Sequence, residues 1–289
     1  MSDAPLYVHV GAHRTGTTSF QTCLHENRLI LHARGWTTAY PGRDGIRSGK
    51  LALRLPAGPR VDPTAAAQRA WRTLEPCRTG MPVILSEENI LGRMFHFMKG
   101  RFYPFAEARC LALRSAWEGP IAHVLLVVRP YEELFVSSFR KRAEDNPMPR
   151  FDDVRDRYLS IDRGWPQLAA SVQEVLRPER MTVLPYAARG SNLQLLQRLV
   201  PKLSLHGLVE PNRMANVSAT DAALEHLQER YHLGERLRRP EWRKVIAAHA
   251  LNQAPQGFAA FSASEQADLS ARYASDLKQI EWMPRVNVA

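Results

Sequence analysis

The chain has 289 residues, of which 45% are hydrophobic and 24% charged, and its formal net charge is +10. This length and ordinary composition suit one large α/β domain, and they argue against a disordered chain and a repeat array. The basic excess favours an anionic ligand, but the lysines and arginines are scattered without a long basic block, so we expect no nucleic-acid partner.

Short apolar runs alternate with helical patterns along the first two thirds of the chain. Continuous hydrophobicity predicts strands buried on both faces of a parallel sheet, at Leu6–Val10, Pro82–Leu85, Ile121–Val128 and Met181–Leu184. Helices are predicted at Thr18–Ala33, Thr64–Leu74, Phe102–Trp117, Tyr131–Ala143 and Asn192–Val200. This alternation predicts an α/β fold, a three-layer P-loop-type parallel sheet flanked by helices.

The first strand runs into a glycine-rich turn. Gly11 and Gly16 have the G-x-x-x-x-G spacing of loops whose backbone N–H groups surround an anion at a helix N-terminus. A nucleoside-triphosphate loop continues with lysine after the second glycine, whereas Thr17 and Thr18 follow here. The fixed cation, Arg14, lies inside the loop. These residues predict a phosphate site that is poorly suited to ATP.

The run His9-Val-Gly-Ala-His-Arg-Thr-Gly-Thr-Thr-Ser-Phe-Gln21 resembles the 5′-phosphosulfate loop of sulfotransferases. It is most similar to small soluble bacterial sulfotransferase-like proteins. The resemblance implies 3′-phosphoadenosine 5′-phosphosulfate (PAPS) as donor, no metal ion, and a small-molecule or glycan acceptor. Arg14 stands where the family usually has a lysine near the transferring group. The donor contacts implied in this region are His13, Arg14, Thr15, Gly16, Thr17, Thr18 and Ser19.

The second strand exits into acidic residues. Members of the family place the base that activates the acceptor after this strand, so the resemblance implies Glu87, with Glu88 and His96 as alternatives. A carboxylate suits this task when its pKa approaches neutrality. The residues alone also allow a helix-capping pair, Ser86 with Asn89. Downstream, Met94, Phe95, Phe97 and Met98 suggest an apolar acceptor lining, and core packing would explain them equally well.

The third and fourth strands end in candidate nucleotide contacts. Arg129 leaves the third strand and Ser137 follows two helical turns later, where both are able to face one pocket. This spacing is similar to the family's 3′-phosphate pair. Tyr186, at the fourth strand exit, is implied as an adenosine contact. The family's late Arg-Lys-Gly clamp has no clean match here, and spacing does not choose between Arg213 and Arg236 as its substitute.

The remaining segments complete the predicted organisation. Tyr40–Asp62, with several glycines and prolines, predicts a long loop near the site. After residue 210 the sequence predicts helices only, at Asp221–Tyr231 and Ser262–Trp282. We therefore expect one sulfotransferase-like domain over residues 1–289, with a sheet-bearing core at 5–200 and a helical cap at 201–289.

The cysteines and the N-terminal residues indicate in which cellular compartment we expect the protein. Three cysteines without CxxC spacing argue against a disulfide framework and a metal site. The first five residues show no signal-peptide pattern, and the longest apolar run, Val124–Val128, is too short to span a bilayer. We expect a cytoplasmic protein without a membrane partner, and the oligomeric state stays open.

The sequence thus predicts a PAPS-dependent sulfotransferase acting on a hydroxyl or amine. Two alternatives remain open at this point. One is a P-loop small-molecule kinase, and the other is a non-catalytic nucleotide-binding protein that retains the fold.

Overall fold

A computed structural model of the chain describes residues 4–43, 46–58, 60–211 and 218–289. Its centre is a six-stranded sheet in which each neighbouring pair of strands is parallel. In chain order the strands are β1 (Leu6–Gly11), β2 (Thr37–Ala39), β3 (Pro41–Arg43), β4 (Ile46–Lys50), β5 (Val83–Ser86), β6 (Ile121–Val128), β7 (Arg180–Pro185) and β8 (Val286–Val288). The order across the sheet is β2-β5-β1-β6-β7-β8, and β3 pairs with β4 in a separate antiparallel hairpin.

Helices cover both faces of this sheet. They are α1 (Thr17–Glu26), α2 (Arg28–Ala33), α3 (Pro63–Leu74), α4 (Ala106–Ala116), α5 (Tyr131–Ala143), α6 (Phe151–Leu159), α7 (Trp165–Leu176), α8 (Asn192–Leu199), α9 (Asp221–His232), α10 (Arg239–Ala248) and α11 (Ala263–Glu281). Short 3₁₀ helices occur at Glu88–Ile90, Met94–Lys99 and Tyr186–Ala188, among others.

Successive side chains of the strands point to opposite faces of the sheet, and a separate hydrophobic core lies on each face. Leu125 and Leu184 pack with Phe20 of α1 and Leu195 of α8 on one face, in a core that also includes α2. On the other face, strand residues such as Val8 join the larger core formed with α3, α4, α5, α7 and α11. Because apolar side chains point both ways from the central strands, the sheet is buried on both sides. The predicted α/β class with a three-layer parallel sheet is confirmed.

Strand β1 lies between β5 and β6, and this position locates the candidate site. The chain first builds the β2–β5 side of the sheet and then crosses β1 to build β6, β7 and β8. In open α/β sheets, ligands bind beyond the carboxyl ends of strands at such a switch point. The segments that follow β5, β1, β6 and β7 are therefore neighbours along one edge of the sheet.

The predicted elements match the structure with instructive exceptions. The single helix expected at Thr18–Ala33 is two helices, interrupted at Asn27, whose side chain bonds the backbone of Cys23 and Val209. This tertiary contact ends α1, and a local helical pattern does not reveal it. The segment expected to be a loop at Tyr40–Asp62 contains the β3–β4 hairpin.

The prediction of helices alone after residue 210 is wrong at the C-terminus. Val286–Val288 forms β8, which pairs in parallel with β7 through Met181↔Val286. Three residues are too few to show a strand pattern, and this strand forms because α11 packs against α7 and returns the chain to the sheet. The predicted helices α9 and α11 are present, and the division into one domain with a cap stays a prediction.

No helix in the described part of the chain combines the length and apolar character needed to cross a bilayer.

Candidate functional site

The loop between β1 and α1 has a backbone that few sequences tolerate. Gly16 precedes α1 with φ of 80°, and Arg14 has φ of 66°, a region that non-glycine residues seldom occupy. A Cβ on Gly11 would lie 2.1 Å from Thr17 Oγ1 and 2.9 Å from His9 Cε1. The loop therefore passes tightly over its own helix. The first N–H groups of α1, which have no intrahelical acceptor, face the carboxyl edge of the sheet.

Besides Nε2 of His9, whose role depends on the tautomer, two buried hydrogen-bond donors beside this loop have no acceptor among the described residues. They are the hydroxyl of Thr17, which is 2% exposed, and Nε of Arg189. Arg189 lies against the loop, since Nη2 donates to Gly16 O at 3.3 Å and also bonds Asn192 Oδ1. Burial lowers the pKa of Arg189, but a guanidinium stays protonated near neutrality. Both groups are suited to an anion, which only accepts hydrogen bonds.

Sequence reasoning missed Arg189. The sequence feature that could have identified it is its position, three residues after Tyr186 at the exit of β7. Strand β7 is next to β6 and two strands from β1 in the sheet.

Arg14, Arg129 and Ser137 meet at the loop, although 115 residues or more separate the first from the others. Arg14 Nε donates to Ser137 Oγ at 2.8 Å, and Arg129 Nη1 donates to Arg14 O at 2.8 Å. Burial lowers the pKa of Arg14, whose side chain is charged at neutral pH all the same. The exits of β1 and β6 and the helix α5 thus form one cationic cluster.

The guanidinium of Arg129 has further partners. It lies over the ring of Tyr186, with 4.9 Å from Cζ to the ring centroid, and its Nε pairs with Glu133 Oε2 at 2.8 Å. Its backbone oxygen accepts a hydrogen bond from Trp165 Nε1 at 3.0 Å. The structure therefore brings Tyr186, predicted from the fourth strand, to the residue predicted from the third.

Other loop residues already have protein partners. Thr15 Oγ1 donates to Ala12 O at 2.6 Å, and Ser19 Oγ accepts from Asn192 Nδ2 at 3.0 Å. The backbone oxygen of Thr18 accepts from Thr22 Oγ1 at 3.0 Å, within α1. Among the predicted hydroxyls, that of Thr17 differs in being buried without an acceptor in the described chain.

His9 lies beneath the loop as a neutral residue. Burial, followed by the charge of Arg189, lowers its pKa to about 3. Nδ1 hydrogen-bonds Ser86 Oγ at 2.9 Å, and the ring packs edge-on against Phe20 with centroids 4.6 Å apart. This histidine supports the loop from below and links it to the exit of β5.

The predicted acidic residues after β5 lie in two different settings. Glu87 is 4% exposed, and its Oε1 accepts from the backbone N of Asn89 at 2.8 Å and from its Nδ2 at 2.9 Å. The capping role is therefore filled by Glu87 with Asn89, while Ser86 bonds His9 instead. Glu88 Oε1 lies 4.0 Å from Nδ1 of His13, whose Nε2 bonds Gly92 O at 2.9 Å.

His96 lies farther along the chain, in the 3₁₀ helix Met94–Lys99. Its ring packs against Phe95 and Phe105, at 4.1 and 5.4 Å between centroids. Burial and then the nearby positive charges, Lys99 first, lower its pKa. Within the described residues no hydrogen bond or ring contact joins it to the loop. Arg236 is exposed and donates to Glu235 O, and Arg213 lies outside the described residues.

A cleft opens beside the loop. Its volume is about 430 Å³, and its lining residues are His13, Asn89, Arg93, Met94, Phe95 and Arg142. His13 belongs both to the loop and to the cleft wall. Of the apolar side chains expected here, Met94 and Phe95 line the cleft, whereas Phe97 is fully buried and Met98 packs on the core. The described lining includes no residue from Tyr40–Asp62.

Across the described ranges, no three or more His, Cys, Asp or Glu side chains are grouped to hold a metal ion. The cysteines Cys23, Cys77 and Cys110 are free.

The comparisons with known proteins give a similarity in structure but none in sequence. No family model matches the chain, and no curated protein matches its sequence. Among solved structures, the chain is similar to a sulfotransferase from Alicyclobacillus acidocaldarius, with 10% identity and a TM-score of 0.41. The match covers 89% of this chain and 99% of that one.

Proposed function

We propose that this protein is a sulfotransferase that moves a sulfuryl group from PAPS to a hydroxyl or amine of an acceptor. The observation that carries the proposal is the pair of buried donors at the loop, Thr17 Oγ1 and Arg189 Nε, that lack an acceptor in the described chain. A buried donor without a partner costs about 1–3 kcal/mol. A phosphate or phosphosulfate supplies acceptor oxygens only, and it would satisfy both donors together with the N–H groups that begin α1.

The loop fits the 5′ end of such a nucleotide. Gly11 leaves room for the Thr17 hydroxyl, and Gly16 leaves room for Arg189, whose Nε would be 3.0 Å from a Cβ at that position. Lysine is absent after Gly16, so the loop lacks the cation with which ATP-binding loops reach the outer phosphates.

The cluster around Arg129 supports a second phosphate site. Arg129 and Ser137 both contact Arg14, and Tyr186 provides a ring beside the guanidinium. We propose that Arg129 and Ser137 bind the 3′-phosphate and that Tyr186 contacts the adenosine. A basic strand exit would suit this anion, whereas a Mg²⁺-dependent ATPase more often places an acidic residue at such a position.

The protein's contribution to the reaction would be positioning and charge. The donor, when bound, supplies the activated sulfuryl group: its bond to the 5′-phosphate oxygen breaks as a new oxygen–sulfur or nitrogen–sulfur bond forms on the acceptor. Arg14, fixed by Ser137, holds positive charge where negative charge develops. The acceptor proton passes to a carboxylate, for which we favour Glu88 over Glu87. Glu88 faces His13 of the cleft wall, whereas Glu87 caps a helix.

Binding of nucleotides tests the proposal before any acceptor is known. Calorimetry should give micromolar affinity for adenosine 3′,5′-bisphosphate and no binding of ATP with Mg²⁺ in that range. Tight ATP binding would favour a kinase and overturn the proposal. With radiolabelled donor and an acceptor panel, Glu88→Gln should then lower kcat more than Glu87→Gln does. Bisphosphate binding without any turnover would indicate a nucleotide-binding protein.

A further inference from the structure

The cleft beside the loop is lined by two arginines whose charges are not neutralised by the described chain. Neither Arg93 nor Arg142 forms an ion pair or donates a side-chain hydrogen bond within the described residues. Nε of Arg142 is buried and has no acceptor there. Neighbouring cations on the same helix are paired: Arg140 with Asp221 and Lys141 with Glu144. Among the three consecutive cations of α5, Arg142 is therefore the one that lacks a partner in the described chain.

The other walls suit the body of an organic molecule. Met94 and Phe95 present apolar surface, and Asn89 presents an amide. Flat apolar side chains pack against sugar or aromatic rings, and an amide hydrogen-bonds their substituents. A volume of about 430 Å³ lies within the range of small-molecule sites. The cleft has room for one or two rings.

The cleft also touches the proposed reaction centre. His13, one residue before Arg14, forms part of its wall, and Asn89 directly follows Glu88. A hydroxyl on a molecule in the cleft would therefore lie near both the loop and the favoured proton acceptor. An anionic group at the other end of the same molecule would find the arginine side chains.

We infer that the acceptor is an anionic hydroxy compound, a ring-containing carboxylate or sulfate ester whose negative group is bound by Arg93 and Arg142. That the bound compound is the acceptor rests on the proposed function. The preference of the cleft for an anion depends only on the residues of the cleft. A carboxylate bound by guanidinium groups gains charge-assisted, often bidentate hydrogen bonds. The same arginines would discriminate against a neutral analogue, because they would stay unpaired beside it.

A matched pair of probes tests this inference. The two compounds are para-nitrophenyl β-glucuronide and para-nitrophenyl β-glucoside, which share both rings and differ in a carboxylate against a hydroxymethyl group. Dissociation constants are measured by calorimetry without nucleotide, and kcat/KM is measured with PAPS. We expect the glucuronide to bind at least tenfold more tightly, as one charge-assisted interaction predicts.

Substitutions assign the preference to the cleft. Arg142→Gln and Arg93→Gln should each lower the glucuronide-to-glucoside affinity ratio by at least fivefold. Arg72→Gln, a change of the same kind at an exposed position of α3, should leave the ratio unchanged. Because Arg93 is exposed, Arg93→Gln should fold normally and still tests the inference if Arg142→Gln unfolds. Thermal unfolding shows whether each variant is folded.

The outcomes separate this inference from the proposed function. Equal affinity for both probes, no measurable binding of either, or equal losses for both in the arginine variants would overturn the anionic-acceptor inference. If the bisphosphate does not bind but the arginine-dependent glucuronide preference persists, the sulfotransferase proposal fails and the anionic cleft stands. If the bisphosphate binds and the probes show no preference, the reverse holds.

Discussion

The two sides of His13 differ in how their cations are paired. On the loop side, Arg14 donates to Ser137, and Arg129 donates to the loop backbone and to Glu133. On the cleft side, Arg93 and Arg142 have no ion-pair partner in the described chain. A cation fixed by protein acceptors is already in position when a ligand arrives, so little reorganisation is needed. On the cleft side only Nε of Arg142 is buried without an acceptor in the described chain, and it would gain its first one from the ligand, as Thr17 Oγ1 and Arg189 Nε would at the loop.

This difference matches the two tasks that we propose. A donor nucleotide of constant structure is served by a rigid site whose geometry is fixed before binding. The acceptor would be selected by charge in a cleft of about 430 Å³, with a less constrained fit. Breaking the fixed contacts should therefore weaken nucleotide binding.

Gly11→Ala should abolish the loop's ligand site. The new Cβ would lie 2.1 Å from Thr17 Oγ1 and 3.0 Å from its Cγ2, which forces the helix start to move. We expect a loss of about 1–3 kcal/mol in the free energy of unfolding. Bisphosphate affinity should fall on the order of a hundredfold or more, since several charge-assisted bonds are lost together. Denaturant unfolding and calorimetry measure the two effects.

The matched control for this change is Gly58→Ala. A Cβ there meets nothing within 4 Å, so both stability and affinity should stay near those of the wild type. Unchanged bisphosphate binding in Gly11→Ala would show that the loop is not the nucleotide site.

Arg129→Gln should weaken bisphosphate binding by roughly tenfold to a hundredfold, the loss of one charged hydrogen-bonding group at about 1.5–3 kcal/mol. Stability should fall by about 0.5–1.5 kcal/mol, because the hydrogen bond to Arg14 O is lost, while the partly exposed ion pair with Glu133 contributes little. Calorimetry with the variant gives the value, and Arg72→Gln again serves as control. A loss in both proteins would point to net charge and away from a specific contact.

Trp165→Phe should weaken bisphosphate binding by a smaller factor, about threefold to tenfold. It removes the indole N–H that bonds Arg129 O, a neutral hydrogen bond contributing about 0.5–1.5 kcal/mol. Trp117→Phe is the control, because that buried indole N–H has no acceptor in the described chain. Both variants lose a similar side-chain volume, so both should lose some stability. If only Trp165→Phe also loses affinity for the bisphosphate, Trp165 positions Arg129.

Glu133→Gln should have the smallest effect, in the opposite direction. Its carboxylate pairs with Arg129 Nε and competes with an anionic ligand for that group. An exposed i,i+4 pair is worth about 0.3–0.5 kcal/mol, so we expect roughly twofold tighter binding of the bisphosphate at low salt. The gain should shrink as ionic strength rises. Weaker binding in this variant would mean that Glu133 helps to hold the nucleotide.

Much of the sheet edge was predictable because its signals are local. Gly11, Gly16 and the strand before them lie in one short run, and Arg129 follows an eight-residue strand that is apolar except for His123. Parallel strands bring such exits together, so the meeting of Arg129 with the loop follows from topology. Arg189 was not predicted, because a single arginine after a strand has no motif spacing that distinguishes it from an ordinary surface arginine.

Other features depend on contacts that the sequence does not show. The end of α1 at Asn27 is set by Val209, far along the chain, and β8 forms through pairing with β7. Met94 and Phe97 lie on the same short 3₁₀ helix and pack in the same core, so only the placed neighbours show that Met94 also lines the cleft. That Arg142 has no partner in the described chain is likewise visible only when its neighbours are placed.

In the proposed function, the loop and Arg129 together recognise an adenosine that carries phosphates at both its 3′ and 5′ positions. The most direct test of this recognition compares the wild-type dissociation constants of adenosine 3′,5′-bisphosphate and adenosine 5′-monophosphate by calorimetry. We predict at least tenfold tighter binding of the bisphosphate, the contribution of one charged contact at the 3′ position. Equal affinity for the two nucleotides would contradict the account.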